Sequence, residues 1–151
     1  MFKKYITIVM FVCVSFFQVS LATSPFYEPI VKGDVKKVKD LLSKHHNKID
    51  EADVALAALK GHVDMVALFL AQGAPLDTEV MRSAVRGACQ NKRLSKAYEE
   101  IVHMLLKAHA PFDKETLCMA VECGTPAIAK MLVNAMPNFS NSIKASSRFN
   151  K

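Results

Sequence analysis

The sequence predicts an all-α protein, a helical solenoid of about four short helix–turn–helix repeats. Three observations carry this reading. A 17-residue segment recurs four times without a gap: GDVKKVKDLLSKHHNKI from Gly33, GHVDMVALFLAQGAPLD from Gly61, AYEEIVHMLLKAHAPFD from Ala97 and GTPAIAKMLVNAMPNFS from Gly124. Self-similarity at a spacing of a few tens of residues marks stacked supersecondary units. Within each copy, the polar positions fall on one side of a 3.6-residue helix. Finally, VALAALKG (54–61), VMRSAVRG (80–87) and LCMAVECG (117–124) precede the last three copies as helix-like stretches. Each unit is then a short helix, a turn bearing a small residue, a second helix, and a loop ending in Asp.

The first 22 residues stand apart. MFKKY is a basic start, ITIVMFVCVSFF an apolar run, and QVSLA places Ser20 and Ala22 before a cleavage point. This is the three-region pattern of a secretory signal peptide. The run is shorter than the roughly 20 residues that span a bilayer, although an uncleaved anchor is the alternative. The expected organisation is a signal peptide over 1–22, a repeat domain over 23–140 and a C-terminal tail over 141–151. The chain of 151 residues, 51% hydrophobic and 23% charged, has the composition of one globular domain. Removing Lys3 and Lys4 with the signal leaves 18 Lys+Arg against 14 Asp+Glu, a net +4. The cations are scattered rather than gathered in an aromatic-lined stripe, which argues against nucleic acid.

The first repeated segment reads as an N-terminal cap. Counted from the opening residue, positions +4 and +7 are Met65 and Leu68, Ile101 and Met104, Ile128 and Met131 in the later copies. In the first copy they are Lys37 and Asp40. Terminal repeats need a polar outer face, so the array is expected to begin at residue 33. The segment from Gly61 is apolar at seven of the eight positions 63–70. That fits a second helix held between neighbours, with only a narrow outer stripe in water. The stripe is Lys36, Lys39, Ser43; Asp64, Ala67, Ala71; Glu100, His103, Lys107; and Ala127, Lys130, Asn134.

The third unit carries extra residues within ACQNKRLSKA (88–97), since the steps between copies are 28, 36 and 27. The insert is either an exposed loop or an extension of both helices with Ser95 as N-cap. Its Lys92, Arg93 and Lys96, with Arg82 and Arg86 before them, are the candidate partner-binding residues, because insertions in repeats map to one face. The loops GAPLDTE (73–79) and HAPFDKE (109–115) are near-copies in which Pro ends one helix and Asp77 or Asp113 caps the next. Where Gly73 closes its helix, the other copies have His45, His109 and Met136, so strained or different caps are expected there.

Cys89, Cys118 and Cys123 read first as small buried hydrophobes, with a disulfide left open by their odd number. No histidine pair has a metal-ligand spacing, and His62 is expected to hydrogen-bond backbone in its turn. No catalytic triad, phosphate loop or paired carboxylates stand out, so neither an enzyme nor a cofactor is indicated. In the C-terminal segment 137–151, Phe139 and Ile143 are expected to fold back over the last unit, the alternative being a face left open for a partner or for dimerisation.

The second helices resemble the ankyrin repeat: Gly61, His62, Asp64, Val66, Leu68, Leu70, Gly73 and Ala74 follow that family's pattern over about residues 30–140. The units are shorter than the usual 33 residues. The resemblance implies a protein–protein interaction module with no cofactor. With the signal, it implies a bacterial protein, periplasmic or secreted, that is a monomer and has no membrane association after signal cleavage. The expected partner is a protein, in a periplasmic inhibitory, protective or assisting role. Alternatives are a secreted effector binding host proteins, or an enzyme or metal-carrying module.

Overall fold

The computed structural model describes residues 24–45, 48–123 and 125–136. The expected signal peptide with its cleavage point, and the C-terminal segment with Phe139 and Ile143, lie outside them. The described residues hold eight α-helices and no strand. These are α1 (Tyr27–Lys32), α2 (Val35–His45), α3 (Glu51–Lys60), α4 (Val63–Ala71), α5 (Thr78–Gln90), α6 (Ser95–Lys107), α7 (Lys114–Glu122) and α8 (Pro126–Ala135). A 3₁₀ turn, Lys92–Leu94, precedes α6.

Aspartates start the first helices of the later pairs. Asp50, Asp77 and Asp113 accept the N–H groups of Asp53, Val80 and Thr116 at 2.9, 3.0 and 2.9 Å. Each satisfies an orphan donor of its helix, worth about 1 kcal/mol. Asp53 returns the bond to the Asp50 N–H at 3.3 Å, closing a capping box. Asp53 is only 3% exposed. Burial pushes its carboxyl above the usual range, against hydrogen bonds from the Ser24 hydroxyl and the Asp50 N–H that lower it. Within the second pair, Gly61 ends α3 at φ +76°. There its N–H and that of His62 reach Ala58 and Ala57 carbonyls at 3.1 Å each. The left-handed geometry comes free only to glycine.

The helices pack as four consecutive pairs in two layers. α1, α3, α5 and α7 touch in succession, and so do α4, α6 and α8. Each helix also touches its own partner: α1 with α2, α3 with α4, α5 with α6, and α7 with α8. All twelve stripe residues named above are exposed. At +4 and +7, Lys37 and Asp40 are exposed, whereas Met65, Ile101 and Ile128 are buried. The heaviest burial falls on the first-layer helices α3 and α5, through Val54, Ala55, Ala57, Ala58, Val80, Met81, Ala84, Val85 and Ala88. The sequence reading gave the sandwiched role to second helices alone. Small alanines had hidden it, because their value lies in letting two helix axes approach closely.

Three further expectations are corrected. The array does not begin at residue 33: α1 precedes it, with Phe26 and Ile30 fully buried and Phe26 edge-on to Phe69 at 6.2 Å. His62 makes no side-chain cap bond. Its ring covers Gly33, where an added Cβ would lie 2.9 Å from Cε1, and its Nε2 has no hydrogen-bond partner among the described residues. The cysteines are not simply buried hydrophobes: Cys89 and Cys123 form a disulfide, and Cys118 is an exposed free thiol. The unusual helix ends at His109 and Met136 are as the sequence suggested, while the end after His45 borders residues outside the described ones. His109 takes φ +58° where Gly73 has +69°, and Met136 closes α8 in extended backbone instead.

Candidate functional site

The insert lengthens both helices of the third pair. α5 and α6 have 13 residues each, against 9 or 10 in α3, α4, α7 and α8. At 1.5 Å rise per residue the third pair overhangs its neighbours by about 5 Å. Asn91 breaks α5 at φ −125°, ψ 71°, and Lys92–Leu94 reverse the chain in one 3₁₀ turn. Leu94, not Ser95, occupies the N-cap of α6, and no side chain caps it. Ser95 already has helical geometry, at φ −51° and ψ −43°.

This overhang is a basic tip. Lys92, Arg93, Leu94, Ser95 and Lys96 are all exposed, Leu94 at 46%. Among the described residues none of Lys92, Arg93 and Lys96 enters an ion pair. A cleft of about 250 Å³ opens beside the tip. Ala88, Lys92, Ser95 and Glu99 line one wall, and Thr125, Pro126, Ala127 and Ile128 the other. The Cys89–Cys123 disulfide, spanning 34 residues with 5.3 Å between Cα atoms, links the residue after Ala88 on one wall to the residue two before Thr125 on the other.

Arg82 and Arg86 belong elsewhere. Arg82 precedes Lys92 by ten residues, about 15 Å along a helix. Its Nη2 donates to Asp113 Oδ2 at 2.5 Å and to Glu115 at 3.4 Å, and its Nη1 to Glu79 at 3.5 Å. Arg86 Nη1 donates to the other oxygen of Glu79 at 3.3 Å. Arg82 thus joins α5 to the start of α7, while Arg86 pairs within α5, so the five candidate residues divide into an ion-paired couple and an open trio. Asp113 also accepts from the Thr116 hydroxyl at 2.7 Å. The Thr116 hydroxyl and N–H, with Arg82 behind them, hold the Asp113 carboxyl down from 3.8 to about 2.

A depressed carboxylate stabilises the fold above its unfolded pKa and loses that contribution as pH falls through the folded value. The Asp113 contribution is therefore complete above about pH 4 and lost towards pH 2. Asp113→Asn should lower the melting temperature at neutral pH and flatten its fall between pH 4 and 2. Parallel slopes for wild type and variant would show that Asp113 does not link folding to protons.

The exposure of Leu94 and the second cleft wall were missed in the sequence, and the disulfide was left open. One signal was available for the disulfide: Cys89 and Cys123 sit near the same end of successive first helices, which stacking brings together. His103 lies exposed on the outer stripe. No cluster of three or more metal-ligating side chains occurs among the described residues, and no helix among them is long and apolar enough to cross a membrane. No family model matches the chain, and no curated protein or solved structure matches it significantly.

Proposed function

We propose that this chain is an exported, ankyrin-like helical solenoid that acts as a protein–protein interaction module, binding its partner through the tip of the third pair. The observation that carries the reading is the overhang itself. It raises three cations, unpaired among the described residues, and a half-exposed leucine beyond the ends of the neighbouring pairs. Stacked helix pairs offer a rigid extended surface, and exposed residues choose the partner. The order of helix contacts and the pattern of the second helices support the ankyrin-like assignment. The secretory pattern of residues 1–22 and the disulfide both support an oxidising destination, the periplasm in the first instance.

Site-specific photo-cross-linking in the producing cell tests this. A photoreactive residue at Ser95 should give a discrete protein adduct, and one at Lys39, on the first pair, should not. Adducts from neither position would remove the tip as a binding site. Fractionation runs alongside: recovery from the culture medium rather than the periplasm would replace a resident role with a secreted one.

A further inference from the structure

The cleft beside the basic tip has a built shape, a charge pattern and a covalent brace. We propose that it is a preformed docking site for an acidic segment of a partner protein carrying one leucine-like side chain. This rests on the protein-binding reading and adds the chemistry of the bound segment. The inner surface is mostly apolar, through Ala88, Pro126, Ala127 and Ile128. Its volume of about 250 Å³ exceeds the roughly 150 Å³ that accommodates a benzene ring, so one aliphatic or aromatic side chain fits.

The charges set the rest of the segment. Lys92 stands on the cleft wall, and Arg93 and Lys96 are exposed beside it. The insert 88–97 contains no acid at all. Carboxylates in the ligand would therefore meet uncompensated cations at the rim, where complementarity governs encounter and register. The acid on the cleft wall, Glu99, disfavours a further carboxylate inside it, which leaves the pocket to the apolar side chain. The brace acts on both walls: Cys89 adjoins Ala88, and Cys123 lies two residues before Thr125. Walls fixed before binding lose less freedom when the ligand arrives.

Other occupants fit less well. Membrane-surface binding uses an apolar helix face sunk about 5–10 Å into the bilayer, and the tip offers a concave cleft and Leu94 alone. Single-stranded nucleic acid needs aromatic stacking platforms, and 88–97 has no aromatic residue.

The probe is a fluorescent peptide alternating Glu and Asp around a central Leu, read by polarisation against the oxidised protein lacking residues 1–22. Saturable binding is expected, weakened at least tenfold by the combined K92E/R93E/K96E substitutions and by 0.5 M salt as roughly three contacts are screened. Ala127 is exposed, so A127W should fill the cleft and block the peptide with the circular dichroism spectrum unchanged. A Lys/Leu peptide should not bind. Equal affinity in the triple variant, no saturable binding by wild type, or binding to phosphatidylglycerol vesicles in place of the peptide would each overturn the proposal. A Ser95 cross-link to a partner that persists while the acidic peptide fails would leave protein binding intact and reject only this chemistry. Loss of both would reject the two together.

Discussion

Gly87→Ala is expected to destabilise the protein by about 1–3 kcal/mol, although the same change in an unhindered helix is favourable. Alanine in a helix interior gains about 1 kcal/mol over glycine. Gly87 lies within α5 where α3 and α6 converge. A Cβ there would stand 2.5 Å from the Leu59 carbonyl oxygen and 2.5 Å from Cε1 of Tyr98. One obstacle is backbone and the other a fully buried ring, so neither yields at the end of a flexible chain. Tyr98 is also the hydroxyl that donates to Leu59 O at 3.0 Å, satisfying a carbonyl near the C-terminal end of α3. Forcing α3 and α5 apart would strain or break that bond, worth about 1 kcal/mol, on top of about 1–3 kcal/mol of overpacking. Urea unfolding measures the sum, and Tyr98→Phe should cost only about 1 kcal/mol. In a Tyr98→Ala background the Gly87→Ala penalty should shrink without vanishing, since the Leu59 carbonyl remains. A Gly87→Ala protein as stable as wild type would mean that α3 and α5 do not meet as closely as described.

Gly87 also shows what was legible in the sequence. The repeating polar stripe gave the second helices, because periodicity reports burial wherever side chains are large enough to differ. The Asp loops gave the starts of the later pairs, because an N-cap is a local interaction between a side chain and the next turn. Helix α1 was not legible: six residues, YEPIVK, show no full period. The close packing of α3 on α5 was equally hidden. Ala57, Ala58 and Gly87 look neutral in a pattern of polar and apolar residues, and only their neighbours reveal that anything larger would collide. At the candidate site, the basic insert was visible as composition. The separation of Arg82 from it was not, because ten residues of helix turn sequence neighbours into distant groups, nor was the pairing of Arg86 with Glu79, seven residues back on the same helix. The second cleft wall comes from α8, more than thirty residues beyond the tip, and only stacking brings it there.

Removing the disulfide should have the largest effect of all. Cross-linking lowers the entropy of the unfolded chain by an amount that grows slowly with loop length, about 3 kcal/mol for 15 residues and about 4.7 for 100. The separation of 34 between Cys89 and Cys123 places this bond at about 3.8 kcal/mol. A Cys89→Ser/Cys123→Ser variant should therefore melt about 8–15 °C lower, given some 2–4 °C per kcal/mol for a chain of about this length. The loss should also be local. In a stacked array stability is close to a sum of nearest-neighbour terms, and α7 and α8 make their main contacts outside their own pair with the third pair. Val121 on α7 is 63% exposed, so this pair buries less apolar surface against its neighbour than α3 and α5 bury against theirs. Without the bond, amides of α7 and α8 should exchange with solvent much faster, while those of α3 and α5 keep most of their protection. Uniform acceleration would show instead that the pairs unfold as one unit. The chemical premise is checked first, by titrating thiols in the oxidised protein lacking residues 1–22. One reactive thiol, Cys118, is expected after denaturation; three would remove the bond and the local argument with it. If the bond is present, the same variant links stability to binding. Fraying α7 and α8 releases the Thr125–Ile128 wall of the cleft, so affinity for the acidic peptide should fall even though Lys92, Arg93 and Lys96 are untouched.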